Sequence, residues 1–176
     1  MLIIRRLGAP AVPWLAERKA VSLSGLGAAD LLKAPMTAFF ASRQCPGSAI
    51  RAATAWALQQ AKDRRTVVGG FHSPLEQSVL RLLLEGSGAA VVVLARPVAT
   101  ATLPGSWRDA LGAGRMAVVS RSASAQRLTE QGAEDRNDLA ARLADRIAVA
   151  HASPGGRLSQ QCVRWRSAGM DVWPVG

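Results

Sequence analysis

The sequence predicts an α/β fold in which a doubly wound, mostly parallel β-sheet is covered by helices on both faces. Short apolar runs alternate with segments of helical period along most of the chain, which is typical of successive βαβ units. Most of these runs are continuously apolar rather than alternating, as expected of strands that are buried on both faces. With 176 residues, 49% of them hydrophobic, the chain has the size and apolar content of one domain with an ordinary core.

Six apolar runs predict the strands, the last of them at an edge of the sheet. In chain order they are MTAFFA at 36–41, TVV at 66–68, AAVVVLA at 89–95, MAVVS at 116–120, IAVAH at 147–151 and DVWPV at 171–175. The residues before the first run are richer in Gly and Pro, and we expect residues 1–35 to be a short N-terminal lead-in that packs on the sheet edge. Residues 36–176 then form the α/β domain.

Four segments between the strands carry apolar residues at helical spacing, and we assign these stripes to the core. The stripes are Ile50, Ala53, Ala57 and Ala61; Leu75, Val79, Leu82 and Leu83; Leu139 and Leu143; and Leu158, Cys162 and Trp165. Pro74 suits the first position of the second helix, because its missing N–H would be unpaired there anyway. The stretch 121–135 has little apolar content and is predicted to be a surface loop.

Charge and cysteine content narrow the function classes. The chain has 22 Lys and Arg against 12 Asp and Glu, and its net charge of +10 favours a polyanionic partner, of which nucleic acid is the first candidate. The alternative is an arginine-rich solvated surface that reflects biased genome composition. Cys45 and Cys162 form no CxxC pair, so neither a disulfide framework nor a zinc site is indicated. With no leader-like or membrane-spanning segment, a cytoplasmic protein that does not associate with membranes is expected.

Three predicted strand-to-helix turns have the composition of an anion site. They are ASRQCPGS at 41–48, GGFHSP at 69–74 and HASPGGR at 151–157, called below the Ser42, His72 and Ser153 turns. Strand carboxyl ends and the N-termini of the following helices face the same space in a parallel sheet, where N–H groups and helix dipoles favour anions. Glycine in one such turn is common, whereas three on one sheet edge favour a ligand site. The absence of GxxxxGK[ST] and GxGxxG argues against ATPases and ordinary dinucleotide dehydrogenases.

The titratable residues give weaker signals. His72 and His151 are candidates for acid–base chemistry, but no Asp or Glu partner is identifiable from sequence, so hydrogen bonding to neighbouring backbone is the preferred interpretation. No carboxylate pair has the spacing of a metal or glycosidase site, and we expect no resident cofactor or metal.

The turns, in this order, resemble the DprA/Smf family of DNA-processing proteins, which belongs to a Rossmann-like superfamily together with the LOG phosphoribohydrolases. FFASRQCPG resembles the family's strand followed by G-[ST]-R, which places Ser42 and Arg43 on the Ser/Thr–Arg pair. GGFHSPLE is similar in placement to SG-x-A-x-G-I-D, with Gly70 on its glycine and Glu76 on its aspartate. RNDLAARLADRIAVAHASPGG resembles RNRIIAGLS with its following strand and turn, which places the Arg-Asn pair at 136–137.

The resemblance implies a Rossmann-like protein that binds single-stranded DNA or nucleotide phosphates at the carboxyl edge of its sheet, without catalysis. It further implies a role in DNA processing, recombination or DNA uptake, a homodimer, and a strand-exchange recombinase as partner. Arginines would contact phosphates, and the counterions released from the DNA would be the main source of sequence-independent affinity. The implied phosphate-binding residues are Ser42, Arg43, Gly47, Ser48, Gly69, Gly70, Phe71, His72, Ser73, Glu76, Arg136, Asn137, His151, Ser153, Pro154, Gly155, Gly156 and Arg157.

Comparison with the LOG enzymes bears on catalysis. LOG members resemble this chain at PGG, but their nucleotide cleavage needs a carboxylate after that motif, where PGGRLSQQC offers Gln161 and neighbouring neutral residues. A neutral amide neither stabilises an oxocarbenium-like centre nor moves a proton, so we expect no enzyme. Two alternatives stay open: a sensor or carrier of a nucleotide or nucleotide-derived small molecule, and a LOG-like nucleoside monophosphate phosphoribohydrolase that uses Arg136 with a carboxylate such as Glu76.

Overall fold

The computed structural model describes residues 12–121 and 132–176. These residues form eight strands: β1 (Trp14–Arg18), β2 (Val21–Gly27), β3 (Met36–Ala41), β4 (Thr66–Gly69), β5 (Ala89–Val93), β6 (Met116–Arg121), β7 (Arg146–His151) and β8 (Val172–Pro174). All eight lie in one sheet in the order β1-β2-β6-β5-β4-β3-β7-β8. Neighbouring strands from β6 to β8 are parallel, whereas β2 is antiparallel to both β1 and β6. The predicted mostly parallel sheet is therefore confirmed.

Helices cover both faces of this sheet, as predicted. Their bounds are α1 (Gly47–Lys62), α2 (Pro74–Glu85), α3 (Arg108–Gly112), α4 (Gly132–Leu143) and α5 (Arg157–Ser167). Buried residues of α1, α2 and α3 share one core cluster, and those of α4 and α5 share the other. Adjacent residues of β3 show the two layers: Phe39 stacks on Trp56 of α1 with ring centroids 5.1 Å apart, and Phe40 packs on Trp165 of α5 at 4.8 Å.

The N-terminal segment contains two strands that the sequence analysis did not assign. β1 and β2 form a hairpin that extends the sheet beyond β6, with Lys19 and Ala20 in the left-handed region of its two-residue turn. Trp14 pairs with Gly25, where a Cβ would stand 2.3 Å from the indole ring, so this glycine makes room for the tryptophan. Polar residues interrupt the apolar pattern of both strands, which concealed them. Residues 1–11 of the predicted lead-in lie outside the described residues.

The positions of α1 and α4 differ from two smaller predictions, one about the buried face of α1 and one about the loop before α4. Ile50 was placed on the buried stripe of α1 but is 45% exposed, because the buried face of that helix consists of alanines at 49, 53, 57 and 61. The predicted loop at 121–135 is shorter, since Arg121 ends β6 and α4 begins at Gly132. Residues 122–131 of that loop lie outside the described residues.

The strand order defines a topological switch point between β3 and β7. From β3 the chain proceeds through β4 and β5 to β6, and α4 then returns it across the sheet to β7 on the other side of β3. The helices that follow β3 and β7, α1 and α5, therefore lie on opposite faces and leave a crevice between their N-termini. In open α/β sheets ligands bind at such a point. Among the described residues no helix combines the length and apolar character needed to cross a bilayer.

Candidate functional site

A cleft of about 720 Å³ opens at the carboxyl ends of β3, β4 and β7, beside the switch point. All three predicted turns contribute to its walls, together with the first turns of α4. The lining residues are Ala41, Ser42, Arg43, Gln44, His72, Ser73, Glu76, Ala133, Glu134, Arg136, Asn137, Ser153, Gly156, Arg157, Leu158 and Gln161. The turns converge because the carboxyl ends of neighbouring parallel strands lie at one edge of the sheet.

Ser42 joins the turns on the two sides of the switch point. Its backbone N–H donates to the carbonyl of His151 over 2.8 Å, and its Oγ accepts from the N–H of Ser153 over 2.9 Å. His151 thus contributes a backbone carbonyl to the junction. The Ser42 and Ser153 turns are held together by these bonds and form one continuous wall of the cleft.

Glu76 holds the His72 turn. This side chain lies in the first turn of α2, is 7% exposed, and accepts three backbone N–H groups. Its Oε1 accepts from Ala41 over 3.0 Å, and its Oε2 accepts from His72 over 2.9 Å and from Ser73 over 3.1 Å. The Oγ of Ser73 accepts in return from the N–H of Glu76 at 3.3 Å, which completes a capping box. The amides of His72 and Ser73, two of those that this turn could offer to a ligand, are therefore occupied by the protein.

Arg136 enters the cleft from α4 and lies against Gly70. A Cβ on Gly70 would stand 2.2 Å from the Arg136 Nε, so only glycine leaves room for the guanidinium there. The Nε is buried and has no hydrogen-bond partner among the described residues. Burial lowers the pKa of Arg136, and the nearby carboxylate of Glu76 opposes that shift. Burial raises the pKa of Glu76, while its three N–H donors and Arg136 counteract the rise. A partly buried cation thus lies beside a buried carboxyl group.

Two further arginines line the cleft, and both are exposed. Arg43 makes no hydrogen bond or ion pair with the part of the chain that the structure describes. The Arg157 side chain is 82% exposed, and its Nε is 3.8 Å from the Oε1 of Glu134, a loose contact. Burial lowers the pKa of His72, and the neighbouring Arg136 and Arg96 lower it further, which disfavours the charged imidazolium. The positive charge of the cleft comes from its arginines.

The helix N-termini at the cleft differ in their capping. Pro46 and Gly156 precede α1 and α5 and make no side-chain capping bond, and neither helix has an acidic residue in its first turn. Helix α2, by contrast, has both the Ser73 cap and Glu76. The positive ends of the α1 and α5 dipoles therefore lack a negative partner from their own first turns.

Phe71 points away from the cleft. Its backbone has φ of 52°, a conformation that bulky residues rarely adopt, and its side chain is buried. It lines a second cavity of about 580 Å³ with Leu80 and Trp107, on the sheet face that carries α2 and α3. Phe71, which was predicted among the phosphate-binding residues, therefore does not line the cleft, because the left-handed backbone turns the ring to the opposite face.

Several other predicted residues do not contribute to the walls of the cleft. Gly69 is buried at the end of β4, and Gly70 lies beneath Arg136. The exposed residues that lie outside the lining are Gly47, Ser48, Pro154 and Gly155. The structure thus brings ten of the predicted residues into the lining: Ser42, Arg43, His72, Ser73, Glu76, Arg136, Asn137, Ser153, Gly156 and Arg157.

Gln161 is a wall residue that the sequence analysis considered only as a replaced carboxylate. It is 1% exposed, accepts from the Nδ2 of Asn137 over 3.2 Å, and donates to the carbonyl of Glu134 and the Oδ1 of Asp138. Asp138 also accepts from the indole N–H of Trp165 over 2.8 Å. The network fixes α4 against α5. Its sequence signal was a polar residue at the helical spacing of the buried face of α5, next to Cys162.

The cysteine near the cleft is held as a neutral thiol. Cys45 is free, and its Sγ donates to the carbonyl of Ser42 over 3.1 Å. Burial raises its pKa, and the negative charge of Glu76 raises it further, so it is not an activated nucleophile. Within residues 12–121 and 132–176, no group of His, Cys, Asp and Glu side chains has the arrangement of a metal site.

Comparisons with known proteins identify the fold. No family model matches the chain, and no curated protein matches it in sequence. DNA processing protein A (DprA) from Streptococcus pneumoniae superposes with a TM-score of 0.69 at 21% identity, over 87% of this chain and 54% of that one. DprA from Helicobacter pylori, described for its single-stranded DNA binding mode, has a TM-score of 0.72 at 14% identity, over 92% of this chain and 80% of that one.

The molybdenum cofactor carrier protein from Chlamydomonas reinhardtii is more distant, with a TM-score of 0.52 at 11% identity over 80% of this chain and 76% of that one. The chain spans about half the length of the S. pneumoniae protein. It has the Rossmann-like fold that these proteins share, and the resemblance to DprA noted in the sequence is confirmed at the level of the fold.

Proposed function

We propose that this protein binds the phosphate groups of single-stranded DNA in the cleft at the switch point, as a DNA-processing protein without covalent chemistry. The observation that carries the proposal is the buried Nε of Arg136, which has no acceptor among the described residues and is given space by Gly70. A buried donor without an acceptor costs free energy, and a phosphate oxygen would supply a charge-assisted partner.

The surroundings of Arg136 favour an anion as well. Arg43 and Arg157 line the same cleft as exposed cations, and the uncapped N-termini of α1 and α5 add dipoles of the same sign. The chain as a whole carries a net charge of +10. Phosphate neutralisation with counterion release then supplies affinity that does not depend on base sequence. The DprA neighbours support DNA as the polyanion.

Binding without catalysis is supported by the groups around the cleft. Both oxygens of Glu76 accept backbone N–H groups, so this carboxylate is not placed to act as a base or nucleophile. Gln161 is neutral and its side chain makes three hydrogen bonds. The phosphoribohydrolase alternative, in which Arg136 works with Glu76, loses support from this arrangement.

A nucleotide or nucleotide-derived small molecule is the second candidate. The cleft volume of about 720 Å³ lies within the usual range of small-molecule sites, and the molybdenum cofactor carrier shares the fold. This ligand would use the same arginines but would not extend beyond the cleft.

The two candidates are separated by titrating oligothymidylate and a mononucleotide at several salt concentrations. For DNA, replacing Arg43 or Arg136 by Ala should weaken binding about tenfold and reduce the salt slope by about 1. Arg81→Ala is the matched control, because Arg81 is exposed on α2 outside the cleft. Absent or salt-independent DNA binding would contradict the DNA proposal. A mononucleotide-dependent rise in melting temperature, without competition by DNA, would favour the second candidate.

A further inference from the structure

We infer that Glu76 is a built-in anion that closes the His72 turn to ligand phosphates, competes with them for Arg136, and so confines the ligand to the Ser42 and Ser153 turns. This inference rests on the proposed function and names a specificity-determining residue within that site. Glu76 acts through the groups it holds, so it is a positioning residue.

The contacts of Glu76 are those that an anion would make at a helix N-terminus. Its two carboxylate oxygens accept three N–H groups, from Ala41 at the end of β3 and from His72 and Ser73 before α2. The carboxylate lies in the first turn of α2, where the helix dipole favours negative charge. A ligand phosphate at the start of α2 would find the N–H groups of His72 and Ser73 already bonded to Glu76 and would face a like charge.

Glu76 also acts electrostatically on Arg136. Glu76 and Arg136 are close enough that each stabilises the charged form of the other. The Arg136 Nε nevertheless has no acceptor within the described residues, so the carboxylate attracts the guanidinium without satisfying that donor. Part of the attraction of Arg136 for a phosphate is therefore offset by the resident charge of Glu76.

The other two turns lack an equivalent of Glu76. Counting from the capping position, the residue that matches Glu76 is Ala49 in α1 and Ser159 in α5. Neither side chain carries a negative charge. Arg43 and Arg157 lie beside these two turns, and Glu134 of α4 makes a loose contact of 3.8 Å with Arg157, so we place the anion-accepting part of the cleft at the switch point and not below α2.

The test replaces Glu76 by Gln and compares it with Glu85→Gln, which removes the same charge from an exposed position on the same helix. Neutralising Glu76 should tighten binding of oligothymidylate about tenfold, the size of one hydrogen bond to a charged group, and should steepen the salt slope. Glu85→Gln should change neither by more than about twofold, because an exposed charge outside the cleft is screened. Glu76→Asp keeps the charge and should restore the wild-type salt slope.

Equal or weaker binding by a folded Glu76→Gln variant, relative to Glu85→Gln, would overturn the inference. A measurement on the wild type covers the case in which the variant does not fold. Titration with inorganic phosphate, followed by amide NMR, should shift the resonances of Gly156 and Arg157 and leave those of His72 and Ser73 unchanged. Saturable shifts centred on His72 and Ser73 would contradict the inference while leaving the proposed function intact. If neither phosphate nor DNA perturbs any cleft resonance, the proposed function itself fails.

Discussion

The His72 turn and the Ser153 turn look alike in sequence but differ in how their backbone groups are used. Both follow a parallel strand, contain two glycines, a histidine, a serine and a proline, and lead into a helix. In the His72 turn, Glu76 takes the N–H groups and Ser73 caps the helix. In the Ser153 turn, no side chain caps α5 and the first residue of the helix is Arg157.

The composition of a strand-to-helix turn therefore does not by itself make it a phosphate site. The deciding residue is the carboxylate three positions after the cap, which lies outside the glycine-rich motif. A turn that supplies its own carboxylate closes its N–H groups to a ligand, whereas a turn without one keeps its helix dipole for a ligand.

The largest expected effect is on stability, from replacing Glu76 by Ala. Three backbone N–H groups would lose their acceptor, one of them buried and two partly buried, and at about 1 kcal/mol for each lost hydrogen bond the free energy of unfolding should fall by roughly 2–3 kcal/mol. Ser73→Ala, which removes only the cap, should cost about 1 kcal/mol. Urea unfolding measures both. Equal losses in the two variants would mean that Glu76 does not hold the turn.

Replacing Gly70 by Ala should affect binding more than stability. The new Cβ would overlap the Arg136 side chain, which can move away at small cost but then leaves its place in the cleft. Oligonucleotide affinity should fall about tenfold, as for loss of one phosphate contact, while the unfolding free energy changes by less than about 1 kcal/mol. Gly105→Ala is the control, because a Cβ at Gly105 meets nothing within 4 Å. An unchanged affinity in Gly70→Ala would show that the position of Arg136 is not used.

Placing a carboxylate in the first turn of α1 should move stability and binding in opposite directions. Ser48 is exposed in the first turn of α1, and Ser48→Glu would place a negative charge at the positive end of the helix dipole. Stability should rise by about 0.5 kcal/mol and DNA affinity should fall several-fold. Ser48→Gln separates charge from size and should leave both nearly unchanged. A fall in affinity of the same size in both variants would contradict an electrostatic cause.

Much of the fold could be predicted from the sequence, because buried parallel strands consist of uninterrupted apolar runs such as Ala89–Val93. Convergence of the three turns also followed, since the carboxyl ends of parallel strands share one sheet edge. The β1–β2 hairpin did not, because polar residues break its pattern and its pairing with β6 joins segments far apart in the chain.

The geometry of the cleft depends on backbone conformations and long-range contacts that cannot be predicted from the sequence. The direction of Phe71 is set by one left-handed backbone angle, and the role of Gln161 by its contact with Asn137 on another helix. Glu76 was placed in the site from the family resemblance, with no indication that its oxygens would take the amides of the His72 turn. In each case a local conformation or a long-range contact selected one of several roles open to the same residue.

The smallest expected effect is a pH dependence that belongs to Glu76 alone. Burial raises the pKa of Glu76 above its unfolded value, so its contribution to stability is fully present below the unfolded pKa and is lost as pH rises through the folded pKa. The unfolding free energy of the wild type, minus that of Glu76→Gln, should therefore decrease as pH rises above about 4. Comparing the two proteins cancels the effect of Asp145, whose pKa shifts the other way. Burial alone would raise the pKa of Asp145, but the Met36 N–H together with Lys19 and Arg18 lowers it. Acid therefore weakens the contacts of Asp145 equally in the wild type and in Glu76→Gln. Urea unfolding of both proteins at a series of pH values gives the pH dependence of this free-energy difference. A difference that grows with pH would mean that the N–H donors and Arg136 outweigh burial, and that the carboxylate of the His72 turn is a net stabilising charge.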